Sequence, residues 1–219
     1  SNSSAASDVY KRQILLNEHF HLWLLAESTL GSLIGDDNVI FLQVDDAIRL
    51  SILLRGALLH EQNMNVDHML MPRFSTLSDE IYPELDSIER YQLNNQASLQ
   101  ALIQLIDKHL PKNFEVDDEH LKEAKISHFC EQVEEKNPTA LAILEHISSN
   151  LAYMLMNLVN IFSTEKILFD SPLLRIKAPL FEQITQKLNE KMINRDLNVQ
   201  LVTSHFDKNS TLIPCAMIK

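Results

Sequence analysis

The chain has 219 residues and a formal net charge of −11, with 30 acidic against 19 basic side chains. Proteins bind nucleic acid largely through lysines and arginines that neutralise phosphates, so this composition argues against DNA binding by the chain itself. It has only three glycines, where an average protein has about 7%, and this disfavours the glycine-rich loops that cradle nucleotide phosphates.

The sequence also gives predictions of the cellular compartment and of the extent of the folded part. No apolar run reaches the ~20 residues of a membrane span, and no secretory signal is visible, which predicts a cytoplasmic protein. Residues 1–10 are interpreted as an expression remnant and disordered lead-in before a folded part over 11–219. Cys130 and Cys215 are expected to be separate reduced thiols, with a disulfide as the alternative.

The first predicted elements are a helix and a β-meander. Residues 14–32 carry Asn17 as a helix N-cap, then apolar side chains at helical spacing, and end near Gly31. Short apolar runs separated by turn residues predict three strands, at 38–44, 48–54 and 57–60.

Residues 61–136 form a more irregular middle part. A polar loop is predicted over 73–95, where carboxylates occur without the spacing of a calcium loop. Apolar periodicity predicts helices over 98–110 and 117–135. The histidines of this region and of the next helix share no ligand face, so core or surface positions are expected for His120, His128 and His146.

The region 137–173 organises the rest of the chain. Asn137-Pro138 is a helix-start signal, and apolar residues then recur at helical spacing as far as Phe162. A buried strand follows at 167–169 and stops at Asp170-Ser171-Pro172. A further amphipathic helix is predicted over 179–193 and a last strand over 198–203. A long buried helix that leads into a buried strand is typical of an α/β layer fold.

Short segments in this region resemble the ROK family, which contains sugar kinases and sugar-responsive repressors. The resemblance is to its Mlc/NagC-type repressors and lies in Asn160-Ile161-Phe162, Lys166-Ile167-Leu168 and Ser171-Pro172-Leu173. It implies that residues 11–219 form the larger lobe of an actin-like (ribonuclease H-like) α/β fold, with 61–136 as a divergent part. It also implies that the first lobe and the DNA-binding domain of such proteins lie outside this chain.

The resemblance implies three candidate ligand-binding residues. Asn17 and Glu18 stand at the family's Asn-Asp motif, whose aspartate is the catalytic base of the kinases, and His68 resembles a histidine that serves sugar and zinc. Structural alternatives are a helix cap for Asn17, a favourable helix-end charge for Glu18, and an exposed loop position for His68. The loop directly after His68 contains no cysteine, and zinc favours four ligands, so no metal is expected. No cofactor is expected either.

Four positions where the family has glycines carry other residues here. A side chain at such a position would fill the space that a phosphate needs, so phosphoryl transfer is expected to be lost and no catalytic residue is assigned. These positions are Arg49, Ser51, Asp170 and Ser210.

Three function classes follow. The first is an effector-sensing and oligomerisation domain of a ROK-type transcriptional regulator of sugar metabolism, without catalysis. The others are a protein-interaction module without a small ligand, and a sugar kinase with Glu18 as base. Implied partners are a second copy, a sugar effector or a phosphotransferase-system protein, and DNA only through another domain. Leu180, Phe181 and Ile184 are a candidate dimer face, with burial in the core as the alternative.

Overall fold

A five-stranded mixed sheet lies at the centre of the part of the chain that the structure describes. The computed structural model describes Glu27, Gly31, Leu33 and residues 35–59, 65–191 and 198–204. The strands are β1 Val39–Val44, β2 Ile48–Leu54, β3 Ala57–Leu58, β4 Lys166–Asp170 and β5 Gln200–Thr203. The predicted strands are therefore confirmed, although β3 is shorter than expected.

Two kinds of pairing meet at β1. It runs antiparallel to β2, with Val44 opposite Ile48, and parallel to β4, with Gln43 opposite Asp170. β4 continues parallel to β5, and β2 runs antiparallel to β3. The mixed sheet thus consists of an antiparallel meander joined to a parallel pair of strands that lies far along the chain.

Helices of the described part cover one face of this sheet. They are α1 Ser87–Arg90, α2 Leu93–Ala97, α3 Leu99–His109, α4 Asp118–Glu134, α5 Pro138–Phe162 and α6 Lys177–Lys191. Three short 3-10 turns accompany them, at Val66–His68, Thr76–Asp79 and Pro172–Ile176. The helical face of the sheet carries Ile40, Leu42 and Ile52 into the main core, because side chains alternate between the two faces of a strand.

The long helix α5 begins as the sequence predicts. The Asn137 side chain accepts hydrogen bonds from the backbone N–H groups of Thr139 (2.9 Å) and Ala140 (3.4 Å), and Pro138 occupies the first turn. The helix ends at Ser163, which takes the left-handed conformation with φ 52°. Between these ends, residues 146–152 are all buried, so the middle of α5 is enclosed by the core.

The prediction of a polar loop over 73–95 is wrong in part. The segment contains a 3-10 turn and two short helices, and it buries Ile81 and Leu93 completely. Asp86 caps α1 by accepting hydrogen bonds from the N–H groups of Ile88 (2.8 Å) and Glu89 (2.9 Å). Helices this short obtain their stability from caps and from packing rather than from a periodic apolar face, so periodicity does not reveal them.

The candidate dimer face on α6 is a core surface. Leu180 and Ile184 are fully buried, and the ring of Phe181 packs edge-to-face on Phe169 of β4 with centroids 5.6 Å apart. The alternative of core burial is confirmed for Leu180 and Ile184, while Phe181 is half-buried.

A buried histidine links α5 to the segment before it. The His146 ring is 1% exposed, and its Nε2–H donates to the Gln96 carbonyl oxygen at 3.2 Å. With that tautomer, Nδ1 accepts from the Ser75 hydroxyl at 3.2 Å. Burial lowers the pKa of His146 to about 4, against the opposing effect of the hydrogen bond to Gln96. His146 is therefore a neutral core residue.

We expect His146 to make the protein sensitive to acid. The unfolded chain takes up this proton below about pH 6.5, while the folded protein resists it until about pH 4. The free energy of unfolding should therefore fall as the pH drops, by roughly 3 kcal/mol at pH 4 from this group alone. Urea unfolding at a series of pH values should show a shallower slope for His146→Gln. Parallel curves for the two proteins would contradict this assignment.

Candidate functional site

Polar side chains meet at the edge of the sheet where β1 and β4 end. Gln43 stands opposite Arg49 of β2 and Asp170 of β4, and residues in register on neighbouring strands project from the same face. Gln43 Nε2 donates to Asp170 Oδ2 at 3.1 Å. Arg49 is exposed, whereas Asp170 is mostly buried. We refer to Gln43, Arg49 and Asp170 as the polar row.

The hairpin between β1 and β2 lies directly beside the polar row. It carries two adjacent carboxylates, Asp45 and Asp46, and both pair with Lys122 of α4. Lys122 Nζ lies 2.5 Å from Asp46 Oδ1 and 3.4 Å from Asp45 Oδ1. Burial alone would lower the pKa of Lys122, but the hydrogen bond to Asp46 and the two negative charges outweigh it, and the pKa is raised.

The backbone N–H groups of this hairpin are largely used within the protein. The Ile48 N–H donates to Asn94 Oδ1 at 3.0 Å, and the Asp46 N–H donates to Asp45 Oδ1 at 3.0 Å. The Asp45 N–H donates to the Ala47 carbonyl oxygen at 3.3 Å. A phosphate cradle needs several N–H groups directed at the anion. These three amides are instead bound to protein oxygen atoms.

The hairpin is also fixed to the helical layer. The N–H of Leu99, in the first turn of α3, donates to the Asp45 carbonyl oxygen at 2.9 Å. Together with Asn94 and Lys122, this contact holds the hairpin from three elements of the same layer. Its backbone is therefore not free to turn its amides outward without losing those bonds.

The positions that replace family glycines differ in their surroundings. Ser51 is completely buried within β2, Arg49 is exposed on the same strand, and Asp170 accepts the hydrogen bond from Gln43. Ser210 lies outside the described residues. Side chains of Arg49, Ser51 and Asp170 thus stand at the positions on β2 and β4 where the family has glycines.

The ligand candidates from the sequence are not brought together in the described part of the chain. Asn17 and Glu18 lie outside the described residues, so their roles stay predictions. His68 is the last residue of the first 3-10 turn, and its ring is 62% exposed and 3.6 Å from the Asp67 carboxylate. Within the described ranges, no three His, Cys, Asp or Glu side chains are grouped to hold a metal ion.

The remaining histidines and cysteines take ordinary positions. His120 is exposed beside Asp117 at 2.5 Å, and the His128 ring packs edge-to-face on Phe114 with centroids 5.9 Å apart. Cys130 is buried, and burial raises the pKa of its thiol to about 11, which makes it unreactive. Cys215 lies outside the described residues.

Sequence reasoning missed the side chains that hold the hairpin. Asn94 is part of a predicted polar loop, and Lys122 is one of many polar residues on a predicted helix. The two adjacent aspartates were a usable signal, because like charges so close together call for a nearby cation. Nothing in the local pattern indicates which lysine supplies it.

We expect Lys122→Met to loosen the hairpin. The pair is partly exposed, so the loss at neutral pH should be about 0.5 to 1 kcal/mol in urea unfolding, and high salt should reduce it. Because the folded state raises the pKa of Lys122, the contribution is present at neutral pH and disappears only above pH 10.5.

The matched control is Lys112→Met. Lys112 lies 5.7 Å from the centre of the Phe114 ring, and no carboxylate in the described part of the chain pairs with it. Its substitution should leave the salt dependence of stability unchanged. Equal salt dependence for both variants would contradict the role given to Lys122.

Comparison with known proteins matches a large part of the chain to a family profile. The profile of the ROK family matches residues 92–218, more than half of the chain. No curated protein sequence matches it at a significant level. Within the described ranges, no helix has the length and apolar character needed to cross a lipid bilayer.

Solved structures of the same fold include regulators and kinases. A ROK family transcriptional regulator, a homologue of the E. coli Mlc protein, is 21% identical with a TM-score of 0.67, over 89% of this chain and 48% of that one. A ROK hexokinase from Thermus thermophilus is 16% identical with a TM-score of 0.63, over 90% of this chain and 63% of that one. A ROK family glucokinase from Streptomyces griseus, solved with glucose and AMPPNP, is 12% identical with a TM-score of 0.61, over 90% and 65%.

These similarities establish the fold. ROK proteins have the actin-like ATPase fold, so the predicted fold class is confirmed. The chain spans about half to two thirds of the length of these three structures.

Proposed function

The chain belongs to the ROK family, and from that premise we propose that it is the effector-sensing and oligomerisation domain of a transcriptional regulator of sugar metabolism, without phosphoryl-transfer activity. Such a regulator acts in the cytoplasm, and it contacts DNA through a different domain. The net charge of −11 is consistent with DNA contact through a different domain, because an acidic domain is not suited to bind nucleic acid.

The observation that carries the proposal is the internal use of the hairpin amides. Phosphoryl transfer depends mostly on positioning the phosphates and stabilising their charge. Here the N–H groups of Asp45, Asp46 and Ile48 already donate to protein oxygen atoms. For phosphate oxygens to take the place of these acceptors, the Ile48 N–H would have to leave Asn94 and the Asp46 N–H would have to leave the Asp45 carboxylate.

Electrostatics at the same edge supports the proposal. Asp45, Asp46 and Asp170 provide three carboxylates beside the strand ends, against Lys122 and Arg49. Lys122 is engaged by the two hairpin aspartates, so within the described part of the chain Arg49 is the cation at this edge that remains to attract a phosphate. A triphosphate carries several negative charges, and the carboxylates of Asp45 and Asp46 would repel it.

The similar structures include a transcriptional regulator and sugar kinases with the same fold, so they do not decide between the two functions. The choice rests on the hairpin. In a regulator, a ligand acts by binding one arrangement of the protein better than another, since only a difference in affinity shifts an equilibrium. The sequence lacks the family's sugar motif around His68, so a phosphotransferase-system protein is the favoured signal, and a sugar is the alternative effector.

Calorimetric titration of the full-length protein with ATP–Mg²⁺ tests the proposal. We expect no binding at millimolar nucleotide, because the hairpin amides are engaged. A ROK glucokinase titrated in parallel serves as the positive control. Nucleotide binding with turnover of a hexose would overturn the proposal and restore the kinase class with Glu18 as base.

A matched pair of variants separates the filled glycine positions from the engaged amides. Arg49→Gly/Ser51→Gly returns glycine to both positions but leaves the bonds of Asp45, Asp46 and Ile48 in place, so we expect it to remain unable to bind ATP. Arg55→Gly, in the other hairpin, is the control for the loss of an exposed arginine. Nucleotide binding by the double variant alone would show that side-chain bulk, not the amide bonding, closes the site.

Titration with hexoses and amino sugars distinguishes the effector classes. Micromolar sugar binding would identify a sugar effector. The absence of any sugar binding would leave a protein signal, or a module that only binds partners.

A further inference from the structure

Several polar side chains are completely buried where the segment before α3 packs on α5. Ser78, Gln96 and Asn150 have no exposed surface, and His146 is 1% exposed. The His146 ring joins two sides of this group, because Nε2 donates to the Gln96 carbonyl oxygen and Nδ1 accepts from the half-buried Ser75. We define the buried polar cluster as Ser75, Ser78, Gln96, His146 and Asn150. Polar side chains are tolerated in a core when their hydrogen bonds are completed.

The orientations of both amide side chains in this cluster are fixed by their amino groups. Gln96 Nε2 donates to the carbonyl oxygen atoms of Arg90 (2.8 Å) and Ser78 (3.2 Å). Asn150 Nδ2 donates to the His146 carbonyl oxygen at 2.9 Å. A carbonyl oxygen only accepts hydrogen bonds, so neither amide can be turned over without placing oxygen against oxygen. The side-chain oxygens Gln96 Oε1 and Asn150 Oδ1 therefore take no part in these contacts.

The two amide oxygens and the Ser78 hydroxyl receive no hydrogen bond from the protein. All three atoms are buried and have no hydrogen-bond partner within the described residues. His146 cannot serve them, because its single N–H is bound to Gln96 and burial lowers its pKa to about 4, which keeps the ring neutral. A buried polar atom that forms no hydrogen bond loses its hydration without compensation. These atoms therefore call for a partner that the described chain does not provide.

We propose that the buried polar cluster binds internal water molecules, which donate to Gln96 Oε1 and Asn150 Oδ1 and pair with the Ser78 hydroxyl. Water fits because it is small, supplies two donors and carries no charge. The cluster is neutral, with no carboxylate to balance a cation and no basic group to balance an anion, so a buried ion would be uncompensated. Ser75, at the half-buried end of the cluster, gives water access from the surface.

The bound water lies behind the helix that holds the β1–β2 hairpin. Gln96 and Asn94 are both on α2, and Asn94 Oδ1 accepts from the Ile48 N–H. Internal water that completes the hydrogen bonds of Gln96 thus helps to keep α2 in place against α5. Hydration of the cluster is independent of the choice between regulator and kinase, so nucleotide binding would not bear on it.

Magnetic relaxation dispersion of the water oxygen counts the water molecules that rotate with the protein, and it tests the proposal on the whole 219-residue chain. We expect Asn150→Leu to hold fewer such molecules than the wild type, because leucine has the same branched shape but no acceptor. The matched control is Asn160→Leu, on the exposed end of the same helix, which should leave the number unchanged. Equal numbers in the wild type and in Asn150→Leu would overturn the proposal.

A serine variant separates a hydrated hydroxyl from an unpaired one. If water pairs with Ser78, Ser78→Ala removes that bond, and the equilibrium constant of unfolding should rise by about fivefold. If the hydroxyl has no partner, its removal should stabilise the protein, so an unchanged or lower constant would overturn the proposal. Ser149→Ala is the control for the number of internal waters, which it should not alter, because the Ser149 hydroxyl already donates to the Glu145 carbonyl oxygen at 2.7 Å.

A high-resolution crystal structure of the wild type locates the water directly and needs no substitution. We expect a water oxygen at about 3 Å from Gln96 Oε1 or Asn150 Oδ1, with at least one further polar partner. Melting curves of the variants establish that they are folded, and the wild-type crystal structure decides the matter if Asn150→Leu is not. A crystal structure without water at either oxygen would overturn the proposal.

Discussion

The parallel pairing of β1 with β4 places the ends of two distant strands at one edge of the sheet. Gln43 and Asp170 are opposite each other only because of this register. The β1–β2 hairpin begins directly after Val44, the residue that follows Gln43. Parallel strands need a crossover connection that covers the sheet. The chain supplies it with α3, α4 and α5, and the enclosed middle of α5 shows how completely that layer packs. The local sequence of each strand determines which side chains form the polar row, and the pairing of β1 with β4 determines where the row lies.

The hairpin between β1 and β2 is the feature on which the proposed loss of phosphoryl transfer depends. In a phosphate-binding loop the backbone supplies the donors, so it needs glycine and free amides. Here an asparagine from α2, a lysine from α4 and a carboxylate of the hairpin itself occupy the polar groups of the loop. The fold alone does not specify function, and these side chains are the reason why we propose a regulator rather than a kinase.

Much of the fold could be predicted from the sequence because each long element has its own local signal. Helices α3, α4 and α5 have both periodic apolar residues and capping side chains, which are Ser98, Asp117 and Asn137. The segment 73–95 could not be predicted, because its short helices depend on packing around Ile81 and Leu93. The candidate site could be predicted from the sequence only in part. The changed glycine positions are visible in the sequence, but the pairing of Lys122 with Asp46 joins residues 76 positions apart and depends on the tertiary structure.

The same pairing of β1 and β4 has a kinetic consequence. Gln43 and Asp170 are separated by 127 residues, and closing so long a loop costs about 4 kcal/mol of chain entropy. The strands of the β1–β2–β3 meander pair with their sequence neighbours and can form early, whereas β4 can pair with β1 only after the intervening residues have been made. During synthesis the meander leaves the ribosome well before β4 exists. The apolar edge of β1 is then unpaired, and a chaperone that binds exposed strand edges would have its longest opportunity in that interval.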